Sequence, residues 1–109
     1  MKTLGLIALA ILAVSGGAAA GEARVEEVLQ DPSRFDGRSV VLRGTLTRLQ
    51  SHVSRKGTRY YTFALTEGRH DILVLAQARP DCKEGAIISV SGHFDRATKR
   101  IDAQTVECR

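Results

Sequence analysis

The stretch that decides the fold is Ser39–Leu49, S-V-V-L-R-G-T-L-T-R-L. Val40, Leu42 and Leu46 fall on one side of an extended chain, with Gly44 among them, and mainly polar side chains fall on the other. This period of two is typical of a strand that is buried on one face. Glycine weakens the middle of a strand unless a bend or a close backbone approach requires it. We therefore expect a long strand that bends at Gly44 and takes part in two sides of a small closed barrel.

Four further segments have the apolar alternation and the flanking turn residues of strands: residues 58–66, 71–76, 86–95 and 101–108. The polar segment 50–57 is predicted to be a loop, and so is 77–85, which contains proline and glycine. In the second strand, alternation places Phe63 towards the core and Tyr60 outward. Five strands with a single short helix predict an all-β protein that folds as a small barrel.

The short helix is predicted at residues 24–30, R-V-E-E-V-L-Q, just before the first strand. Val25, Val28 and Leu29 share one helical face, and glutamates occupy the wet side. The D-P dipeptide that follows ends the helix, because the residue before a proline avoids helical angles. We expect the apolar face of this helix, together with Phe35, to cover one open end of the barrel.

The beginning of the chain has the pattern of a secretory signal peptide. A short positive start is followed by an apolar stretch, Leu4–Val14, and then by small residues with an A-x-A cleavage site at Ala18–Ala20. The apolar stretch is too short to span a bilayer as a helix. We therefore expect residues 1–20 to be a cleaved signal peptide and residues 21–109 to be the exported domain, periplasmic or secreted, with no stable membrane anchor after cleavage. The alternative is a short membrane anchor.

Cys82 and Cys108, the two cysteines of the chain, both lie in the part predicted to be exported. An even number of cysteines in an oxidising compartment favours a disulfide. The hairpin of the fourth and fifth strands also returns Cys108 towards the level of Cys82. We predict that the two are bonded; two free buried thiols are the alternative.

At this point the chain resembles the OB-fold. The residues that carry the resemblance are V-L-R-G-T-L at 41–46, Y-Y-T-F-A-L at 60–65 and V-S-G-H-F at 90–94. The lead-in V-E-E-V-L-Q-D-P-S-R-F-D-G-R-S-V is similar to the segment before strand one in small exported bacterial OB-fold proteins of the anticodon-binding type. One departure is that OB-folds usually place a helix between strands three and four, where 77–85 has room for a turn only. Either that helix is lost, or the N-terminal helix covers the barrel instead.

The resemblance implies a binding face on strands two and three, flanked by the loops that join strands one to two and four to five. Both loop segments, 50–59 and 95–100, are basic in this chain. The predicted ligand-binding residues are Arg55, Lys56, Arg59, Tyr60, Arg96, Lys99 and Arg100. Cations beside an outward aromatic ring suit an anionic ligand, either single-stranded nucleic acid or an acidic oligosaccharide.

One alternative to this interpretation stays open. Hairpin tips of soluble proteins commonly carry arginine and lysine for solubility alone. The protein would then bind no polyanion and would be a periplasmic protein-interaction or envelope-stress accessory protein that uses a strand edge. The formal net charge of +4 is compatible with either interpretation.

Neither catalysis nor a cofactor is expected from the sequence. The histidines His52, His70 and His93 stand at no spacing that is typical of a metal site. Ser51-His52 and Ser91-Gly92-His93 bring a hydroxyl near an imidazole, but the sequence supplies no orienting acid. The prediction is therefore a non-enzymatic binding module without a metal.

Overall fold

Five strands close into a barrel in the structure, a computed structural model that describes residues 21–109. The strands are β2 (Ser39–Val53), β3 (Arg59–Glu67), β4 (His70–Ala76), β5 (Ile87–Asp95) and β6 (Arg100–Cys108). A two-residue strand, β1 (Gly21–Glu22), lies parallel to the start of β2. Two short helices, α1 (Val25–Gln30) and α2 (Pro32–Phe35), precede β2. The predicted all-β class with five barrel strands is confirmed, whereas the predicted signal peptide, residues 1–20, lies outside the described residues.

The strands follow one another round the barrel in the order β2-β3-β4-β6-β5, and β5 pairs back onto β2 to close it. The pairings β2–β3, β3–β4, β5–β6 and β2–β5 are antiparallel. The pairing of β4 with β6 is parallel and short, running from Leu73–Arg100 to Leu75–Asp102. Beyond it, β6 continues as far as Cys108 beside β5 alone.

The glycines in the middle of β2 and β5 are required by close backbone approaches. A Cβ on Gly44 would lie 2.6 Å from the carbonyl oxygen of Thr66, and a Cβ on Gly92 would collide with the carbonyl oxygen of Asp102. β2 pairs with β5 through its first half and with β3 through its second, and the two pairings meet at Thr45. The bent first strand that serves two sides of the barrel is thereby confirmed.

The core fills the barrel and continues under the helices. Its strand residues are Val40, Leu42, Leu46, Phe63, Leu65, Ile72, Val74, Ile88, Val90, Phe94 and Ile101. Val25 and Val28 of α1 are fully buried in the same cluster, Phe35 of α2 joins it, and Leu29 packs against it. The backbone N–H of Val25 donates to Glu67 Oε1 at 2.8 Å, which fixes α1 over the β3–β4 turn. The helix predicted to cover one end of the barrel does so.

The largest difference from the sequence prediction is the length of β2. Residues 50–53, predicted to be part of a loop, continue the strand and pair with 59–62, so that the loop shrinks to 54–58. Beyond Tyr61 this outer part of the hairpin is a two-stranded ribbon, because β4 pairs with β3 only from Tyr61 onward and β5 pairs with β2 only as far as Thr45. Because neither face of this ribbon is buried, its strands need no alternation of apolar and polar residues. The sequence of residues 50–53 therefore does not indicate a strand.

Two β-bulges shift the side chains in ways that the sequence did not predict. In β2 the register to β3 shifts between Thr47 and Gln50, where Arg48 has a φ of 54°. In β6 an extra residue, Gln104, lies between the partners of Ser91 and Gly92. The second bulge places Val106 against the core and leaves Thr105 exposed, whereas uninterrupted alternation from Ile101 would predict that Thr105 faces the core.

Candidate ligand-binding face

The outer surface of β3 and β4, together with the neighbouring part of β2, forms a shallow depression of about 210 Å³. We call this surface the outer face. Its lining residues are Arg48, Gln50, Thr62, Phe63, Ala64, Asp71, Ile72 and Leu73. Leu73 points away from the core and is 45% exposed, which is unusual for a leucine in the middle of a barrel strand. The depression thus has an apolar floor with polar groups at its margin.

A stacked pair of rings stands beside this depression. His52 on β2 and Tyr60 on β3 are register partners, and their rings stack with centroids 5.0 Å apart and planes 19° from parallel. The His52 Nε2 and Thr62 Oγ1 atoms are 2.8 Å apart, within hydrogen-bond distance. Because His52 covers one side of it, Tyr60 is half-buried rather than fully outward. The two rings form one supported unit that offers a ring face or edge to a ligand.

At the other margin, one ion pair dominates the electrostatics. Arg48 Nη2 donates to Asp71 Oδ2 at 2.7 Å, and the hydroxyl of Thr66 donates to Asp71 Oδ1 at 2.8 Å. The hydrogen bond from the Arg48 guanidinium, followed by that from Thr66, lowers the pKa of Asp71 below its ordinary value. The carboxylate is therefore ionised at neutral pH, and its charge is compensated by Arg48.

The loops predicted to flank the face carry exposed cations. The β2–β3 loop and the β5–β6 turn contribute two each: Arg55, Lys56, Arg96 and Lys99. Within residues 21–109, none of these four side chains forms an ion pair. The charge of all four is thus available to a ligand.

The two loops lie at opposite ends of β4. Ala76 at the end of β4 pairs with Tyr61, next to the β2–β3 loop, whereas Leu73 pairs with Arg100, next to the β5–β6 turn. Leu73 and Ala76 are three residues apart, so the loops leave the barrel about 10 Å apart along β4, at about 3.3 Å per residue. Because β3 runs antiparallel and β6 parallel to β4, the loops extend from there in opposite directions. The outer face lies between them.

Two of the predicted site residues stand apart from this arrangement. Arg59 follows the loop but lies on the opposite side of the ribbon from Tyr60, since neighbouring residues of a strand alternate in direction. Its Nη1 donates to Ser51 Oγ at 2.8 Å. Arg100 is partly buried, with 28% of its side chain exposed, and its Nε donates to Asp102 Oδ1 at 2.7 Å. Both cations are already engaged.

The loop predicted at 50–57 contains His52, so the contact of His52 with Tyr60 was not expected from the sequence. A signal for it was present, because a hairpin whose tip is centred on Lys56 places position 52 opposite position 60. The Arg48–Asp71 pair offered no such signal, because it depends on the bulge at Arg48.

The predicted disulfide between Cys82 and Cys108 is present, with their Cα atoms 5.6 Å apart. It ties the middle of the β4–β5 connection to the end of β6. Among residues 21–109 no three histidine, cysteine, aspartate or glutamate side chains are grouped so that they could hold a metal ion. In the same part of the chain, no helix has both the length and the apolar character needed to cross a membrane.

The strand order and the parallel β4–β6 pairing define an OB-fold barrel. The barrel is similar to a chain in the crystal structure of yeast Stn1 and Ten1, with a TM-score of 0.74 over 85% of this chain. The match spans 64% of that chain, less than two thirds of its length, and the sequences are 9% identical. The likeness at this identity concerns the fold alone. No protein-family model matches the chain, and no curated protein matches its sequence.

Proposed function

We propose that this protein is an exported, non-enzymatic OB-fold module that binds an extended polyanion across the outer face, single-stranded nucleic acid in preference to acidic oligosaccharide. The observation that carries the proposal is the placement of a stacked His52–Tyr60 pair and an open depression between two loops with unpaired cations. OB-folds bind oligonucleotides and oligosaccharides at the corresponding strands and loops.

The separation of the loops determines the kind of ligand. A small anion would reach one pair of cations only, because the two loops leave the barrel about 10 Å apart along β4 and extend from there in opposite directions. A polymer with a charge on every unit reaches both pairs and places its central units over the depression. A base or sugar ring would then lie against the Tyr60–His52 pair, where stacking of a base contributes about 1–3 kcal/mol.

The predicted site residues carry unequal shares in this proposal. Arg55, Lys56, Arg96 and Lys99 supply the charge, and Tyr60 supplies the ring. Arg59 and Arg100 contribute less, because a ligand would first have to displace Ser51 or Asp102 from them. Charge from the Arg48–Asp71 pair cancels locally, so this pair shapes the margin of the depression rather than attracting the ligand.

Export is part of the proposal and is supported by the signal-peptide pattern of residues 1–20 together with the Cys82–Cys108 bond. On this account the mature protein is the domain of residues 21–109 in the periplasm or outside the cell. The relation to the bacterial anticodon-binding type of OB-fold stays a prediction from the lead-in segment.

The test is fluorescence anisotropy of labelled single-stranded DNA, RNA and an acidic glycan with the oxidised protein. If four phosphates are neutralised, affinity for a single strand should fall by about 50-fold between about 50 and 200 mM salt, from a slope of about −0.7 per contact. Glutamine at Arg55, Lys56, Arg96 and Lys99 should remove most of the binding and most of the salt dependence.

A matched control neutralises four other exposed arginines and lysines, Arg34, Arg38, Arg43 and Lys83, and so changes the net charge equally. It should retain most of the affinity. Equal losses in the two variants would reduce the interaction to general charge attraction. Absence of binding at low salt would overturn the proposal.

A further inference from the structure

A second surface, away from the outer face, has an unpaired strand edge. β6 pairs with β4 at Arg100–Asp102 only, and from residue 103 to 107 its edge on that side has no strand beside it. The β4–β5 connection runs along this edge, yet within the described chain no backbone hydrogen bond joins residues 77–82 to β6. An edge of this kind presents a row of free N–H and C=O groups.

Between the edge and the connection lies a cavity of about 520 Å³, which we call the β6 slot. Its walls are residues 76–81 of the connection and 103–106 of β6. Both ends are fixed, since the Leu75–Asp102 pairing closes one end and the Cys82–Cys108 bond closes the other. The five edge residues between those ends span about 17 Å at 3.3 Å per residue.

The shape and lining of the slot favour one kind of occupant. Alanines at 76, 78 and 103, with Pro80 and Val106, make its lining largely apolar. A second copy of the barrel could not reach the edge, because the connection stands beside it as a wall. A single extended chain fits such a space and supplies the alternating donors and acceptors that the free edge lacks.

Charge complementarity makes the occupant more specific. Arg79 and Asp81 both line the slot, two positions apart on the same wall, and within the described residues neither is in an ion pair. An extended peptide with an acidic and a basic residue two positions apart would place each opposite its counterpart, since alternate residues share a side. A peptide with two like charges at those positions would meet one matching charge and one repelling charge.

We propose that the β6 slot binds a short extended segment of a partner protein by strand addition to β6, and that this segment carries an acidic and a basic residue two positions apart. The Cys82–Cys108 bond holds the outer wall in place, so the slot keeps its width only in the oxidised protein. This site is independent of the polyanion face, and either proposal can fail without the other.

The probes are acetylated and amidated pentapeptides, which match the five residues of the free edge; they consist of alanine and serine with one glutamate and one lysine two positions apart, in both orders. Binding is measured by isothermal calorimetry with the full oxidised protein. At least one order should bind about tenfold more tightly than the matched peptides with two glutamates or two lysines. Failure of every pentapeptide to bind at a concentration of about 1 mM would overturn the proposal.

N-methylation of the peptide backbone distinguishes strand addition from other contacts. Methyl groups at every second position should remove donors to β6 and weaken binding by about tenfold or more, whereas methyl groups at the intervening positions should have a smaller effect. Equal losses at all positions would contradict strand addition. Amide shifts of the protein should be concentrated at 77–82 and 103–107; shifts at 60–75 instead would also contradict it.

Two tryptophan variants complete the test. Ala78→Trp fills the slot from an exposed position and should weaken peptide binding by about tenfold, equivalent to about 1.4 kcal/mol. Ser33→Trp adds the same side chain at an exposed site on α2 and should leave binding unchanged. Neither substitution should alter binding of single-stranded DNA. Equal affinity of Ala78→Trp and the unaltered protein would place the peptide elsewhere.

Discussion

The two halves of β2 differ in strand pairing and in burial. The first half contributes to the core that stabilises the barrel, and the second half lies beside the candidate ligand-binding face. From Ser39 to Thr47, β2 pairs first with β5 and then, from Thr45, with β3, and it buries alternate side chains in the core. From Gln50 to Val53 it pairs only with β3 and buries little, with Val53 58% exposed. The bulge at Arg48 separates the halves. Substitutions in the first half therefore alter the packing of the core. Substitutions in the second half alter ligand contacts and leave the core packing in place.

The largest difference should appear between two aromatic residues of β3, the partner of both halves. Phe63→Ala removes a ring that is 1% exposed and should lower the free energy of unfolding by about 3–5 kcal/mol. Tyr60→Ala, three residues away on the ribbon, should cost about 1 kcal/mol or less, because Tyr60 is only half-buried and stacks on His52 outside the core. Urea unfolding followed by circular dichroism measures both. Equal costs would mean that the ribbon is part of the core.

The disulfide should have the next largest effect, and it tests how far the core alone holds the barrel. The two cysteines are 26 residues apart. Replacing both by serine should cost about 3–4 kcal/mol on the chain-entropy model. Reduction of the unaltered protein is the control, and it should give the same midpoint of denaturation as the serine variant. A loss below about 1 kcal/mol would show that the end of β6 is already held by its pairing with β5.

Two glycines compare the halves directly. Gly44→Ala places a methyl group 2.6 Å from the Thr66 carbonyl oxygen and should cost about 1–3 kcal/mol or more, as overpacking does. Gly57→Ala, at the tip of the ribbon, meets no atom within 4 Å but has a φ of +85°. It should cost about 1 kcal/mol from backbone strain alone. A larger cost at Gly57 than at Gly44, by thermal unfolding, would contradict the close approach at the bend.

The smallest effect concerns pH. Because the pKa of Asp71 is lowered by Arg48 and Thr66, its carboxylate adds stability at pH values above its ordinary pKa of 3.8 and loses it as the pH falls through the lowered value. The difference in stability between the unaltered protein and Asp71→Asn should be constant from about pH 7 to 5 and shrink below about pH 4. It should stay under about 1 kcal/mol, since the pair is exposed. A difference that grows on acidification would contradict this sign.

These halves also differ in what the sequence reveals about them. In the barrel half, core packing requires apolar side chains at Val40, Leu42 and Leu46, and the close backbone approach requires a glycine at position 44. These requirements give the sequence an apolar period of two with a glycine in it, which predicts the strand. The same logic revealed β5 through its glycine at 92. The strands, their order of appearance and the covering helix could therefore be predicted.

The ribbon half could not be predicted in the same way, because exposed residues are under no packing constraint. Arg59 and Tyr60 are neighbours in sequence, which suggested a shared site, yet strand geometry points them to opposite sides. The sequence likewise did not indicate that Arg100, a predicted ligand-binding residue, pairs with Asp102. Partners of polar side chains depend on register and bulges, and those are set by the whole barrel rather than by local pattern.

Whether the outer face is the ligand-binding site can be tested by titrating the oxidised, isotopically labelled protein with a short single-stranded oligonucleotide and following the amide chemical shifts. If the oligonucleotide binds across the outer face, we expect shifts at residues 48–62, 71–75 and 96–100, which cover this face and its two loops. The shifts at the β6 slot should be small. Shifts concentrated elsewhere, or spread evenly over all exposed arginines and lysines, would contradict the outer face as the ligand-binding site.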